Sequence, residues 1–345
     1  MHLAVTGLGM TSCLANGAAA NAALMRCQYS GFDTTDFIDP DAPGRYLTGA
    51  AALREPGLRG LDLYLSMIQQ TVTEAIGPEP PPRPIPLLLC MQETSRPNIL
   101  MSSRFSHDLY EQFVARYQDI PCTLHFASSE GRTSWVRCLF EARKQLAIAG
   151  VDQVIVLGLD SLLNTRAINH YIGQETVDRR LFGDDYSNGF IPGEAAVAVC
   201  LSQPDGSPQT LITGIGRGEE PAPIYSGEVL RTEGLSTAIR AAADEAGIRV
   251  CETDFRISSA NGEEYWYREA SLAQSRTLEA PCPHQSLWHT ADHIGEVGAA
   301  SGPAMLVMAH YAFEKGYAPG PRALCQLSND DSERAAFILE RSDAL

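Results

Sequence analysis

Apolar residues fall into two kinds of run that alternate along the whole chain. Short apolar runs that end at Gly, Pro or a polar residue are typical of buried strands. Longer runs with helical spacing indicate helices. The pattern predicts strands at 2–8, 86–91, 121–126, 153–158, 195–201, 211–214, 255–259, 324–327 and 336–340, and helices at 18–27, 61–76, 104–117, 134–149, 236–246, 264–274 and 299–313. This alternation predicts an α/β fold with a mostly parallel sheet and helices on both faces.

A polar, turn-rich segment interrupts the alternation at 204–208. After it, strand-like and helix-like runs resume in a shorter version of the first half. We therefore expect an internally duplicated, layered α/β fold with one half at 1–204 and the other at 205–345. The length of 345 residues is consistent with two domains or one large α/β unit.

Composition excludes several classes of protein. Hydrophobic residues make up 44% and charged residues 20%, as in ordinary globular proteins. The 26 Lys and Arg against 42 Asp and Glu give a net charge of −16, which argues against a nucleic-acid or anionic-membrane partner. No apolar run approaches the ~18 residues of a membrane span, and the first residues do not resemble a signal peptide. We expect a cytoplasmic protein.

The nine cysteines are odd in number, include no CxxC pair and lie mostly in apolar runs, so we expect free buried thiols and no metal site. The string from Gly7 through Gly9 to Ser12 imitates a dinucleotide-binding loop. Its third glycine is replaced, and no acidic residue ends a second strand about 20 residues later. The sequence therefore predicts neither a nicotinamide nor any other cofactor.

Four segments carry a resemblance to a known family. They are VTGLGMTS at 5–12, GFIPGEAA at 189–196, IGEVGAASG at 294–302, and the strand 153–158 followed by Asp160 and Ser161. Together they resemble β-ketoacyl synthases (3-oxoacyl-acyl-carrier-protein synthases) in order and spacing, from Met1 to about Arg341. The resemblance implies a thiolase-like duplicated α/β/α/β/α layered fold. It also implies a homodimer paired through the edge strand 121–126, with an acyl carrier protein or a partner synthase as possible partners.

Members of that family use a cysteine at the N-terminus of a buried helix as the nucleophile. Counting back from Gly150 puts Thr133 at this position with Ser134 next to it, whereas a short insertion would put Ser128 or Ser129 there. No cysteine occupies any of these positions. The hydroxyls have two interpretations, a polar cap of the helix or an oxygen nucleophile. Cys122 and Cys138 lie nearby, and we expect both to be inert.

The family's two histidines are also replaced. Asn261 occupies the first position, and an amide can donate a hydrogen bond but cannot carry a proton. Glu296 occupies the second, where a carboxylate would repel the enolate formed in decarboxylation. His293 reaches that position only if the alignment contains a gap. Ala291 replaces the family's lysine, and the acidic string 328–332 replaces its glycine-rich loop.

Two functions follow from these replacements. Five losses at one site indicate a divergent, non-condensing member, a pseudoenzyme that acts as a binding or partner subunit. The alternative is an acyltransferase or thioesterase-type enzyme that acts on acyl-thioester or acyl-carrier substrates. Its nucleophile would be Ser134, Thr133 or Ser128, and His293, Asn261 or Glu296 would supply the base and polar support.

Overall fold

The structure is a computed structural model that describes residues 1–55, 57–78, 83–96, 105–173, 179–183, 186–282 and 285–342. The strands in these ranges are β1 (Leu3–Thr11), β2 (Asp33–Ile38), β3 (Tyr46–Gly49), β4 (Ile85–Cys90), β5 (Cys122–Ser128), β6 (Gln153–Ser161), β7 (Glu194–Ser202), β8 (Gln209–Glu219), β9 (Phe255–Ser258), β10 (Ser286–His289), β11 (Arg322–Ser328) and β12 (Glu333–Ser342). The α-helices are α1 (Ala18–Arg26), α2 (Gly60–Ile76), α3 (Phe105–Arg116), α4 (Ser134–Leu146), α5 (Thr165–Ile172), α6 (Glu233–Ala246), α7 (Glu264–Thr277), α8 (Ala291–Ile294) and α9 (Ser301–Glu314).

The order of the strands shows that the fold is duplicated. Within the described residues, the main sheet runs β10-β9-β11-β12-β8-β1-β7-β6-β4-β5. From the centre of the sheet outward, the first two strand pairings of each half are antiparallel and the next two are parallel. Only two residue pairs, Leu3 with Ile212 and Ala4 with Leu211, join the halves through β1 and β8. The predicted boundary between residues 204 and 205 stays a prediction.

Two buried helices form the central layer between the halves. Both α4 and α9 contact strands of the two five-stranded portions, and their side chains belong to one large core cluster. The helices also approach each other closely, because a Cβ on Gly302 of α9 would lie 2.6 Å from the Trp135 side chain of α4. Helices α2 and α3 cover the outer face of the first portion, and α6 and α7 that of the second. The predicted thiolase-like α/β/α/β/α fold is confirmed.

Glycines on the two central strands allow the outer helices to pack closely. On β1, a Cβ at Gly7 or Gly9 would overlap carbonyl groups of α2. On β8, a Cβ at Gly214, Gly216 or Gly218 would likewise overlap carbonyl groups of α6. The glycines of the apparent dinucleotide string therefore serve strand–helix packing in the first half, and the glycines of β8 serve the same purpose in the second.

The sequence prediction differs from the structure in detail. The sheet was expected to be mostly parallel, but five of the nine strand pairings described in the main sheet are antiparallel. The hairpin β2–β3 and the half-buried strand β10 were not predicted, because neither contains a long apolar run. Strand β8 extends over Gln209–Glu219, well beyond the predicted 211–214. Strand β5 lies at an edge of the sheet, as the family resemblance implied.

Among the described helices, none combines the length and apolarity that crossing a membrane requires. The described residues also contain no group of three or more His, Cys, Asp or Glu placed to hold a metal ion.

Candidate functional site

The candidate site lies where the N-termini of the two central helices meet. A 3-10 turn at Gly131–Thr133 leads into α4, and a second at Gly298–Ala300 leads into α9. Both turns begin with a glycine of positive φ, 58° at Gly131 and 49° at Gly298. A Cβ at Gly131 would lie 2.5 Å from the Glu93 carboxylate, and a Cβ at Gly298 would overlap the Asp160 carboxylate. Both glycines thus make room for carboxylates.

Glu296 is the centre of this site and is 2% exposed. Its Oε2 accepts hydrogen bonds from Arg132 Nη2 at 2.6 Å, Arg132 Nε at 3.0 Å and Asn261 Nδ2 at 2.7 Å. Its Oε1 accepts from the backbone N–H of Gly298 at 2.7 Å. The structure therefore brings together Asn261 and Glu296, which the sequence resemblance assigned to the positions of the family's histidines, and adds an arginine that the sequence analysis did not identify.

Arg132 also connects this pair to the acidic loop 328–332. Its Nη1 donates to the Ser328 carbonyl at 2.8 Å and contacts Asp330 Oδ1 at 3.3 Å. Burial alone would lower the pKa of Arg132, but Glu296 and Asp330 raise it above the ordinary arginine value. The guanidinium, 5.3 Å from the Trp266 ring centroid, therefore stays charged inside the protein.

A second buried arginine extends the network toward the surface. Arg180 Nη1 donates to Asp330 Oδ2 at 2.6 Å, and its Nε and Nη2 donate to the Glu263 carboxylate at 2.5 and 2.7 Å. Burial would raise the pKa of Asp330, but Arg180 and Arg132 outweigh this effect and lower it below the ordinary aspartate value. Arg180 and Glu263 line a surface cavity of about 320 Å³ together with Tyr225 and Arg268. A chain of ion pairs thus fills the space between this cavity and Glu296.

A third group of charges lies behind the helix starts. Arg96 Nη2 donates to Asp160 Oδ2 at 2.5 Å, and its Nε lies 3.4 Å from Glu93 Oε1. Asp160 Oδ2 also accepts from the backbone N–H of Ala299 at 2.9 Å. Burial raises the pKa of Glu93; Arg96 opposes this, whereas Asp160 and Asp330 add to it. Carboxylates of the chain itself therefore occupy the N–H groups at the start of α9, which would otherwise favour an external anion.

Two of the three candidate hydroxyl nucleophiles, those of Thr133 and Ser134, bond to the backbone or to an amide. Thr133 Oγ1 donates to the Glu130 carbonyl at 3.0 Å and accepts from Asn329 Nδ2 at 2.9 Å. Ser134 Oγ lies 3.1 Å from the Ser128 carbonyl and accepts from Glu130 N–H at 2.8 Å. Ser128 Oγ is buried, with no hydrogen-bond partner in the described part of the chain. Thr133 is the N-cap of α4 but makes no side-chain cap, so the hydroxyls fix the preceding turn.

None of these hydroxyls bonds an imidazole within the described ranges. His293 lies on α8, where its Nδ1 is 3.0 Å from the Tyr29 carbonyl, and it lines a different cavity. Cys138 is buried with its Sγ 3.5 Å from the Leu89 carbonyl. Burial raises the pKa of Cys122 to about 12. Around the start of α4, the described residues thus pair none of these hydroxyls with an imidazole base and leave both nearby thiols buried.

The two arginines that organise the site, Arg132 and Arg180, were missed because their partners are distant in sequence. One signal was available. A glutamate at the start of a helix as apolar as 299–313 needs a buried partner, and Arg132 is the cation beside the other central helix. Glu194, the glutamate of the 189–196 segment, is also buried and accepts a hydrogen bond from Ser161 Oγ at 2.7 Å.

Neither a protein-family model nor a curated protein matches the chain. Solved structures do match it. The "PfaC Keto synthase-Chain length factor" is 15% identical, with a TM-score of 0.74 over 99% of this chain, which spans only 43% of that chain. The ketosynthase ApeO in complex with its chain length factor ApeC, from Xenorhabdus doucetiae, is 15% identical with a TM-score of 0.72, covering 99% of this chain and 98% of that one.

A third structure is "AntDE:AntF (apo)", a type II PKS acyl-carrier protein in complex with its ketosynthase bound to the hexaketide. It is 13% identical, with a TM-score of 0.77 over 99% of each chain. Identities this low establish the fold and leave the activity open. The chain therefore has the thiolase-like fold of the ketosynthases.

Proposed function

We propose that this chain is a non-condensing, ketosynthase-like pseudoenzyme that acts as a binding or partner subunit. The observation that carries the proposal is the ion pair between Arg132 and Glu296. It occupies the point where the two central helices begin, and the sequence resemblance assigns the position of Glu296 to the family's second histidine. The donors that converge on Glu296 are taken by the chain's own carboxylate and are not free for a thioester.

Charge supports the same proposal. Decarboxylative condensation creates an enolate, which needs donors that are free to stabilise it. Here the donors of Asn261 and Gly298 already point at the Glu296 carboxylate, at 2.7 Å each. Arg132 donates two further hydrogen bonds to the same carboxylate, at 2.6 and 3.0 Å. An enolate would therefore find these donors already taken by a carboxylate of the chain itself.

The loop at 328–332 also argues against turnover. Asn329 donates to the Glu130 carbonyl at 2.6 Å, and Asp330 bonds both Arg132 and Arg180. The resemblance assigns a gating role to the glycine-rich loop that stands here in the family. If loop 328–332 opened, the buried Arg132 and Arg180 would both lose Asp330 as a partner. A buried charge that loses its partner destabilises the protein strongly.

The partner role draws on the fold and on one edge of the sheet. Strand β5 is an edge strand with partly exposed Leu124, Phe126 and Ala127, and a bare apolar edge invites pairing. We propose a homodimer through this edge. A partner ketosynthase is another possible partner, since the similar ketosynthase ApeO is in complex with its chain length factor ApeC, and an acyl carrier protein is a third. We also propose a cytoplasmic location, because the cysteines are free.

The experiment is incubation of the full chain with malonyl- and acyl-thioester donors, on coenzyme A and on a holo-acyl carrier protein. Intact mass detects acyl adducts, and a thiol reagent detects released thiol. We expect neither an adduct nor thiol release above the donor-only control. The variants Thr133→Ala, Ser134→Ala and Ser128→Ala should be indistinguishable from the wild type.

The alternative function gives a different result. A stable adduct mapped to one of those hydroxyls, and lost in the matching alanine variant, would support the acyltransferase. Thiol release that the same variant abolishes would support a thioesterase. An adduct on Cys122 or Cys138 would show that the nucleophile had been assigned to the wrong residue. The condensing reaction itself would be detected as release of CO₂ from the malonyl donor.

A further inference from the structure

A second cavity of about 250 Å³ lies away from the candidate site, between α1, β10, α8 and α9. Its buried residues are Met25, His293 and Met308, which are 2%, 6% and 6% exposed. Trp288 and Tyr317 form its aromatic walls, with ring centroids 6.4 Å apart and planes inclined by 25°. Apolar cavities of about 150 Å³ can bind benzene. A substituted aromatic ring therefore fits this volume, and the thioethers of the two methionines favour contact with a ring edge.

One wall of the cavity offers a hydrogen-bond acceptor. His293 Nδ1 lies 3.0 Å from the Tyr29 carbonyl, which can only accept, so this nitrogen carries the proton. In the neutral ring, Nε2 is then an acceptor. No residue in the described ranges donates a hydrogen bond to it. A ligand with an O–H or N–H on its ring would fill this position.

The rim of the cavity carries a cation without a carboxylate partner among the described residues. Arg26 is exposed, and its guanidinium carbon lies 4.4 Å from the centre of the Tyr317 ring. Asp292, which also lines the cavity, has its Oδ2 3.5 Å from His289 Nδ1. A guanidinium stacked on a tyrosine keeps its edge N–H groups available for a carboxylate.

We propose that this cavity binds a small aromatic carboxylic acid that carries a hydrogen-bond donor on its ring. The carboxylate pairs with Arg26 at the rim, the ring packs against Trp288 and the methionines, and the donor bonds His293 Nε2. This assignment is independent of the proposed function, because it uses none of the residues around Glu296.

The test uses the full chain and three related probes in isothermal titration calorimetry. The acid 4-hydroxybenzoate has both polar groups, 4-methoxybenzoate lacks the donor, and 4-hydroxybenzyl alcohol lacks the charge. We expect saturable binding of 4-hydroxybenzoate and at least about fivefold weaker binding of each of the other two, as for the loss of one hydrogen bond.

Two variants connect these differences to residues. Arg26→Gln should weaken the binding of 4-hydroxybenzoate about five- to tenfold and leave the affinity for 4-hydroxybenzyl alcohol within about twofold of the wild-type value. His293→Asn keeps a donor near the position of Nδ1 but removes Nε2, so it should make 4-hydroxybenzoate bind no better than 4-methoxybenzoate. Arg166→Gln, an exposed arginine on α5, is the matched control and should change nothing.

The proposal is overturned if 4-hydroxybenzoate shows no saturable binding up to about 10 mM, a limit well above the weakest affinities of specific sites. It is also overturned if the alcohol binds as tightly as the acid, or if Arg26→Gln has no effect. If circular dichroism shows that His293→Asn does not fold, the Arg26→Gln variant and the binding of the three probes to the wild type still test the proposal. Acyl transfer plays no part in this measurement, so its outcome is separate from that of the proposed function.

Discussion

Arg132 and Glu296 are 164 positions apart in the sequence, yet Arg132 Nη2 donates to Glu296 Oε2 at 2.6 Å inside the protein. Arg132 lies in the turn that leads into α4 of the first half, and Glu296 lies just before the turn that leads into α9 of the second. One ion pair therefore joins the starts of the two central helices. Because both partners are over nine-tenths buried, neither can be removed without leaving the other as an uncompensated charge.

The first prediction concerns this pair. Arg132→Met should destabilise the fold by about 3–5 kcal/mol, because it leaves Glu296 buried without its cation. The double variant Arg132→Met with Glu296→Met should recover most of that loss. Urea unfolding of the wild type, both single variants and the double variant measures the coupling. As a control, Arg59→Met breaks an exposed pair with Asp36 and should not change the midpoint. Additive single effects would contradict a coupled pair.

The second prediction concerns how the contribution of Asp330 to stability changes as the pH falls. Burial would raise the pKa of Asp330, but Arg180 and Arg132 lower it below the ordinary value of about 3.9. A carboxyl group with a lowered folded-state pKa contributes stability above its unfolded pKa and loses it as pH falls through the folded pKa. Asp330→Asn should therefore be less stable than the wild type above about pH 5, and the difference between their free energies of unfolding should become smaller toward pH 2.5. A difference that does not change with pH would contradict a lowered pKa of Asp330 in the folded state.

Glu93 should behave in the opposite way. Burial raises its pKa, and Asp160 and Asp330 add to this although Arg96 opposes it. Its favourable contribution is then complete below the unfolded pKa of about 4.3 and is lost as pH rises through the folded pKa. Glu93→Gln cannot ionise, so the stability of this variant relative to the wild type should increase from pH 4 to pH 8. Denaturant titrations of both proteins at five pH values measure this relative stability. A relative stability of Glu93→Gln that decreases from pH 4 to pH 8 would refute the prediction.

The fold could be predicted because its signals are local. Apolar strands, helix periodicity and four short motifs each lie within about ten residues, and together they indicated a duplicated thiolase-like fold. The duplication had one further signal in the glycines of β1, Gly7 and Gly9, and those of β8, Gly214, Gly216 and Gly218. Each set faces carbonyl groups of an outer helix. The set on β8 was not used, because that strand was predicted too short.

The site could be predicted only in part. Thr133, Asn261 and Glu296 were identified from motif positions, and the structure does bring Asn261 and Glu296 into contact. Their charged partners could not be predicted, since an arginine and an acid many residues apart carry no periodic pattern. His293 shows the same limit, because three positions of sequence separate it from Glu296 but it lines another cavity.

The fourth prediction tests the edge of the sheet. Thr123 and His125 are exposed on β5, and replacing both by Lys places like charges along a strand that would pair with its copy. We expect the wild type to be a dimer at micromolar concentration by light scattering. The Thr123→Lys, His125→Lys variant should raise the dissociation constant at least about tenfold. Thr34→Lys, on an exposed position of β2, is the control. A monomeric wild type would contradict the homodimer.

The last prediction asks what restoring the nucleophile would do. Thr133→Cys places a thiol at the start of α4, but Thr133 is fully buried, and its hydroxyl lies between the Glu130 carbonyl and Asn329. The variant still lacks a free base, because Asn261 is an amide and the Glu296 carboxylate is paired with Arg132. We expect its acylation by acyl-thioester donors to stay within about twofold of the wild-type background, because general base catalysis supplies ~10²–10⁴ of such rates.

The variant that adds Asn261→His and Glu296→His to Thr133→Cys should acylate at least about tenfold faster than Thr133→Cys alone. It removes the carboxylate that Arg132 neutralises, while Asp330 still pairs with that arginine. Intact mass over time, with Cys27 as the exposed internal reference thiol, measures both rates. If Thr133→Cys alone acylates as fast as the triple variant, the helix start would suffice to activate a thiol. The ion pair at Glu296 would then not be what keeps this site inactive.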